Sequence, residues 1–191
     1  NEGVVIVSDR RQKDELVIEK SANKINEIDE HIICVSAGIS SDARVLVEKA
    51  RVLAQQHRIN YDSAPHTESI VRDIADVKQQ FTQYGGGRPF GVSMMFAGVN
   101  GDSSLYVTDI TGNYLRYKAC AIGESDEKIR DLLKEKYSEN LGSTEAISLA
   151  LNIFKEVQGD NFNLNRFDVA ILNKKGIRRF EKKELQEIKF D

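Results

Sequence analysis

The sequence has no tryptophan, and it contains only two prolines and two cysteines among its 191 residues. Two cysteines are too few for a disulfide-rich scaffold. Cys34 and Cys120 both lie in apolar stretches, so we expect small buried hydrophobic side chains in a reducing compartment rather than a disulfide or a metal pair. The chain has no CxxC or HExxH spacing, so it predicts neither a metal site nor a cofactor site.

Two further features are missing: a long apolar run and an excess of charge of one sign. The longest hydrophobic stretches are too short to span a bilayer. The net charge is -3 and the pI is about 5.7, which favours neither nucleic acid nor an anionic membrane as a partner. Hydrophobic residues make up 40% and charged residues 30%, the balance of a globular protein with a sizeable core.

Hydrophobic periodicity predicts strands, a helix pair, strands, a second helix pair, strands and a last helix. Helices that arrive in adjacent pairs favour antiparallel sheets stacked face to face, with helices outside, over a doubly wound parallel sheet. Apolar stripes predict that the second helix buries the set from Ile70 to Tyr84, and Ser143 is predicted to cap the fourth helix. Strands are predicted at 3–8, 24–28, 32–35, 90–99, 104–109, 114–117, 118–122, 167–172 and 177–180, and helices at about 39–57, 67–84, 125–137, 143–157 and from 182.

Four segments carry a resemblance to a known family. They are Asn23–Asp29, Ser36–Arg44, Thr82–Gly86 with Arg88–Val92, and Tyr117–Gly123. Together and in register they resemble the proteasome alpha family, and the order and spacing match that family over nearly the whole chain. The resemblance implies an α+β fold, a four-layer αββα sandwich with two antiparallel sheets between helix layers, as in N-terminal nucleophile hydrolases. It also implies that 1–191 is a single alpha-subunit domain without the N-terminal gate tail and first helix.

The family's function implies an outer ring that gates substrate entry to the proteasome core. Expected partners are neighbouring alpha subunits, proteasome beta subunits, an activator ATPase or regulatory cap that docks through its C-terminal tails, and unfolded protein substrates. The expected location is the cytoplasm, and also the nucleus if the source is eukaryotic.

Beta subunits of this fold cut peptide bonds with an N-terminal threonine as nucleophile. This chain begins with Asn1 and has no threonine before Thr67, so no catalytic residue is predicted. Asp9 and Lys24 lie near the positions of the supporting aspartate and lysine of beta subunits, although Asp9 also suits the end of a strand. A beta-type threonine endopeptidase whose N-terminus is absent from this chain is the alternative, and a stand-alone amidohydrolase is a third possibility. Ser36–Arg44 and Arg88–Val92 resemble alpha rather than beta subunits.

The resemblance implies one binding site, a pocket for the C-terminal carboxylate of an activator. Lys24 matches the family's pocket lysine, while Gly38 and Ile39 match positions that line the same pocket. From the residues alone, Lys24 is predicted to be a solvated lysine at a strand edge, as most lysines are. The glycines at 85–87 follow a helix and precede a strand, the reverse of the order in a phosphate-binding loop.

Overall fold

A computed structural model describes residues 3–10, 16, 18, 22–188 and 190. Asn1 and Glu2, where the sequence suggests a turn, lie outside these residues. Within them the strands are β1 (Gly3–Asp9), β2 (Ile25–Asp29), β3 (Ile32–Gly38), β4 (Val92–Asn100), β5 (Asp102–Thr108), β6 (Tyr114–Arg116), β7 (Phe167–Asn173) and β8 (Gly176–Arg179). The helices are α1 (Ser40–Tyr61), α2 (Thr67–Gln83), α3 (Asp126–Lys136), α4 (Ser143–Gln158) and α5 (Lys182–Glu187).

The strands form two antiparallel sheets. One sheet has the order β2-β3-β4-β5-β6, and the other, as far as the described residues go, has the order β1-β7-β8. Helices α1 and α2 pack on the outer face of the five-stranded sheet, and α4 and α5 pack on the outer face of the three-stranded sheet. A separate apolar layer lies between the two sheets. This arrangement confirms the four-layer sandwich.

Strand β3 shows how the sequence builds two of these layers at once. Successive side chains of a strand point to opposite faces. Ile32 and Cys34 therefore enter the core beneath α1 and α2, while Ile33 and Val35 enter the layer between the sheets. The uninterrupted apolar run of β3 is thus explained by burial on both faces.

Both cysteines carry free thiols. Cys34 is buried, as predicted, and burial raises the pKa of its thiol. Cys120 is only half-buried and packs against the layer between the sheets.

Three local predictions are wrong. Residues 118–122 do not form a strand, and the carbonyl of Ala121 accepts a hydrogen bond from Arg130 Nε at 2.9 Å instead of from a neighbouring strand. Ser143 is the first residue of α4 rather than its cap, since the cap is Gly142, whose N–H donates to a Glu145 carboxylate oxygen. The predicted buried stripe of α2 fails at its end, where Phe81 is exposed in the last turns of the helix and Tyr84 is exposed because α2 ends before it.

Among the described residues, no helix is both long enough and apolar enough to cross a membrane.

Candidate functional site

Lys24 lies immediately before β2, whose first residue, Ile25, pairs with Val35 of β3. The side chain is half-buried and its Nζ donates a hydrogen bond to the main-chain carbonyl of Asp9 at 2.9 Å. An ammonium group has three N–H donors. Among the residues that the structure describes, Asp9 supplies its one hydrogen-bond acceptor, so donor capacity is left over.

Asp9 is the last residue of β1, as expected for a residue that ends a strand, and its carboxylate is held from the other side. Arg166 approaches as a fork, with Nε donating to Oδ1 at 3.1 Å and Nη2 donating to Oδ2 at 2.7 Å. Gln158 Nε2 also donates to Oδ2, at 2.9 Å. The main-chain carbonyl of Asp9 therefore accepts a hydrogen bond from Lys24, while its carboxylate accepts hydrogen bonds from Arg166 and Gln158.

Gly38 and Ile39 form the corner where β3 turns into α1. Gly38 has a φ of +128°, and a Cβ added there would lie 2.3 Å from the carbonyl oxygen of Gly91. Both the conformation and the close approach require glycine. The N–H of Ile39 donates to the same Gly91 oxygen at 2.9 Å, and the Ile39 side chain is 44% exposed. The corner thus presents an accessible apolar side chain on a fixed backbone.

Asp42, in the first turn of α1, ties this corner to the loop that precedes β4. Arg88 donates two hydrogen bonds to its carboxylate, from Nη1 to Oδ2 at 2.6 Å and from Nη2 to Oδ1 at 2.7 Å. The N–H of Gly91 donates to Oδ2 at 2.8 Å. The Arg88 bonds and then the Gly91 bond lower the pKa of Asp42 to about 2, so the carboxylate is charged at neutral pH.

The three residues predicted from the resemblance share one edge of the five-stranded sheet, but the structure does not join them directly. Extending the β2–β3 register places Lys24 opposite Ser36, two residues or about 7 Å along the strand from Gly38. Lys24 also borders a cleft of about 1100 Å³ between the sheets, whereas Gly38 and Ile39 lie outside its lining. No hydrogen bond connects Lys24 to Gly38 or Ile39 among the described residues.

Sequence reasoning missed the side chains that support these residues. Asp42 and Arg88 both lie inside segments that carry the resemblance, yet they are 46 positions apart, and nothing local shows that they pair. Arg166 and Asp9 are 157 positions apart, and no local sequence pattern predicts that they pair. An acidic residue in the first turn of a helix was the one visible hint, since that position favours a carboxylate.

Comparison with known proteins adds an independent line of evidence. A family profile described as "Proteasome subunit" matches residues 1–172. The proteasome subunit alpha of Methanopyrus kandleri is 38% identical over 188 residues, which cover 98% of this chain and 76% of that protein. This chain belongs to the proteasome alpha-subunit family.

Two other archaeal members of the family agree with this assignment. The proteasome subunit alpha of Pyrococcus horikoshii is 40% identical over 188 residues, covering 98% of this chain and 72% of that protein. The protein of the same name from Methanothermobacter thermautotrophicus is 40% identical over 172 residues, covering 90% of this chain and 69% of its own length. The family assignment, and with it a part in the proteasome and in protein degradation, is therefore confirmed, whereas the pocket formed by Lys24, Gly38 and Ile39 stays a prediction.

Proposed function

We propose that this chain is a non-catalytic subunit of the outer ring of the 20S proteasome core, where it gates substrate entry and docks activators. A closed ring needs one patch of each subunit to fit a different patch of the next. The proposed contacts are therefore with neighbouring alpha subunits, with beta subunits on one side and with an activator ATPase or regulatory cap on the other. The proposed location is the cytoplasm, where the substrates are unfolded proteins.

The position of Lys24 is the observation that carries this proposal. Its half-buried ammonium donates to a carbonyl rather than to a carboxylate, so its positive charge is available to an incoming anion. A C-terminal carboxylate is such an anion, and capture of a chain terminus is a known mode of recognition. The exposed Ile39 side chain, at the corner that follows the partner strand β3, offers an apolar contact to the same incoming segment.

The geometry around Asp9 supports the non-catalytic part of the proposal. In the threonine-peptidase alternative, an aspartate and a lysine would have to support a nucleophile. Here the Asp9 carboxylate is occupied by the Arg166 fork and by Gln158. Covalent labelling of the full-length mature chain by a threonine-directed inhibitor would contradict this part of the proposal.

Docking is tested by substituting Lys24→Ala in the full-length chain assembled with its beta subunits. The measurement is the ratio of peptide hydrolysis with an activator ATPase to hydrolysis without it. We expect about a tenfold loss of stimulation, since the variant removes the charge that meets the carboxylate. Lys49→Ala is the matched control, because Lys49 is an exposed lysine on α1. Equal stimulation of the two variants would refute the docking role of Lys24.

A further inference from the structure

The Asp9 side chain is a potential competitor for the cation of Lys24. Lys24 Nζ lies 2.9 Å from the main-chain oxygen of Asp9. Because the carboxylate belongs to the same residue, another side-chain rotamer of Asp9 would bring it toward Lys24. A carboxylate that turned to Lys24 would form an internal ion pair. That pair would neutralise the charge that the proposed function assigns to an incoming C-terminus.

Arg166 binds this carboxylate with two hydrogen bonds. Its fork is the bidentate arrangement that makes arginine–carboxylate pairs strong and directional. The pair is well shielded, with 10% of the Asp9 side chain and 29% of the Arg166 side chain exposed, and shielding from water strengthens the attraction. Arg166 immediately precedes β7, and Asp9 pairs with Phe167 in that strand, so the backbone fixes the two groups side by side.

Gln158, the last residue of α4, completes the arrangement. Its amide nitrogen donates to Asp9 Oδ2 at 2.9 Å, and its amide oxygen accepts from Arg166 Nη2 at 3.1 Å. One amide therefore contacts both members of the ion pair and orients them. Three elements, the end of β1, the end of α4 and the entry to β7, meet at this point.

We propose that Arg166, oriented by Gln158, is a positioning residue that retains the Asp9 carboxylate and so keeps the Lys24 ammonium available for the C-terminal carboxylate of an activator. This inference rests on the proposed function, because it assumes that Lys24 is the docking cation. It assigns to Arg166 a role in affinity through charge, without any contact between Arg166 and the activator.

The experiment uses particles assembled from the full-length chain and its beta subunits. The probe is a short synthetic peptide with an apolar residue near a free C-terminal carboxylate, and its C-terminal amide is the control peptide. The measurement is the peptide concentration that gives half-maximal stimulation of hydrolysis. We expect Arg166→Gln to raise this concentration about three- to tenfold, as the released Asp9 carboxylate pairs with Lys24.

The double variant Asp9→Asn with Arg166→Gln separates charge from structure. If Arg166 acts by retaining a carboxylate, removing that carboxylate restores the half-maximal concentration to within about twofold of the wild type. If Arg166 only braces the ends of α4 and β1, the double variant stays as weak as the single one, and the inference is overturned. Unchanged affinity of Arg166→Gln overturns it as well.

Lys24→Ala, measured with the same peptides, tells this inference apart from the proposed function. Loss of stimulation in Lys24→Ala together with unchanged affinity in Arg166→Gln refutes only the role of Arg166. Full stimulation of Lys24→Ala, or equal potency of the amide and the free carboxylate, refutes the docking function on which the inference depends.

Discussion

Lys24 and Lys78 are two lysines whose ammonium groups both donate to main-chain carbonyls, yet they differ in burial and in the number of carbonyls that they bind. Lys24 is half-buried and donates to the carbonyl of Asp9. Lys78, on α2, is fully buried, and its Nζ donates to the carbonyls of Val92 at 3.0 Å, Asp109 at 3.1 Å and Thr108 at 3.5 Å. An ammonium whose donors are all used is a structural group, whereas one with donors to spare can bind a ligand.

All three hydrogen-bond donors of the Lys78 ammonium are used, and these bonds connect separate elements of the fold. Its three carbonyls come from the start of β4 and from the end of β5 and the turn after it, so a single side chain ties α2 to both strands. Burial is the largest influence on this amine and lowers its pKa to about 8. The fold therefore carries a cation where most proteins place an apolar side chain.

The largest expected effect is that of Lys78→Ala on stability. The substitution leaves buried carbonyls without donors and removes the packed stem, which together cost about 3–5 kcal/mol. Denaturant unfolding of the full-length chain measures the loss. Lys78→Met keeps the volume of the stem and serves as the control, with an expected loss of about 1–3 kcal/mol. A loss below about 1 kcal/mol for Lys78→Ala would show that these bonds contribute little in solution.

The pH dependence of stability gives the next effect. The pKa of Lys78 is about 8 in the folded protein, against an ordinary value of 10.5. Between these values the unfolded chain keeps a proton that the folded chain has lost, so the free energy of unfolding rises with pH in this window. The contribution of Lys78 should increase by about 3 kcal/mol between pH 7 and pH 11. The measurement is the unfolding free energy of the wild type minus that of Lys78→Met, and a difference that stays flat across the window would contradict the prediction.

The comparison also shows where the sequence is informative. The uninterrupted apolar run of β3 and the apolar stripes along α1 and α2 predict the layers correctly, because burial on two faces of a strand or on one face of a helix determines which positions are apolar. Lys78 is a charged residue at a position of α2 where the pattern predicts an apolar one. It lies four positions after Ile74 and seven after Val71, on the buried face of α2, but its residue type favours solvent.

Side chains that act in pairs are harder to predict. The Asp42–Arg88 and Asp9–Arg166 pairs depend on contacts between distant segments, which no local pattern records. The segment 118–122 has the composition of a strand, but no neighbouring strand pairs with it among the described residues, and composition cannot supply one. The proposed role of Lys24 comes from the family resemblance, since its residue type and position alone predict a solvated lysine.

The smallest expected effect is that of Lys24→Ala on stability, and it is the strictest test of the comparison. One hydrogen bond from a half-buried lysine contributes little, so the loss should be below about 1 kcal/mol. Denaturant unfolding of the full-length chain, beside Lys49→Ala as a neutral exposed control, measures it. A loss of about 3 kcal/mol or more would place Lys24 with Lys78 as a structural group. A loss of docking in Lys24→Ala would then be explained by loss of structure at the start of β2. It would no longer be evidence that the Lys24 ammonium binds the carboxylate.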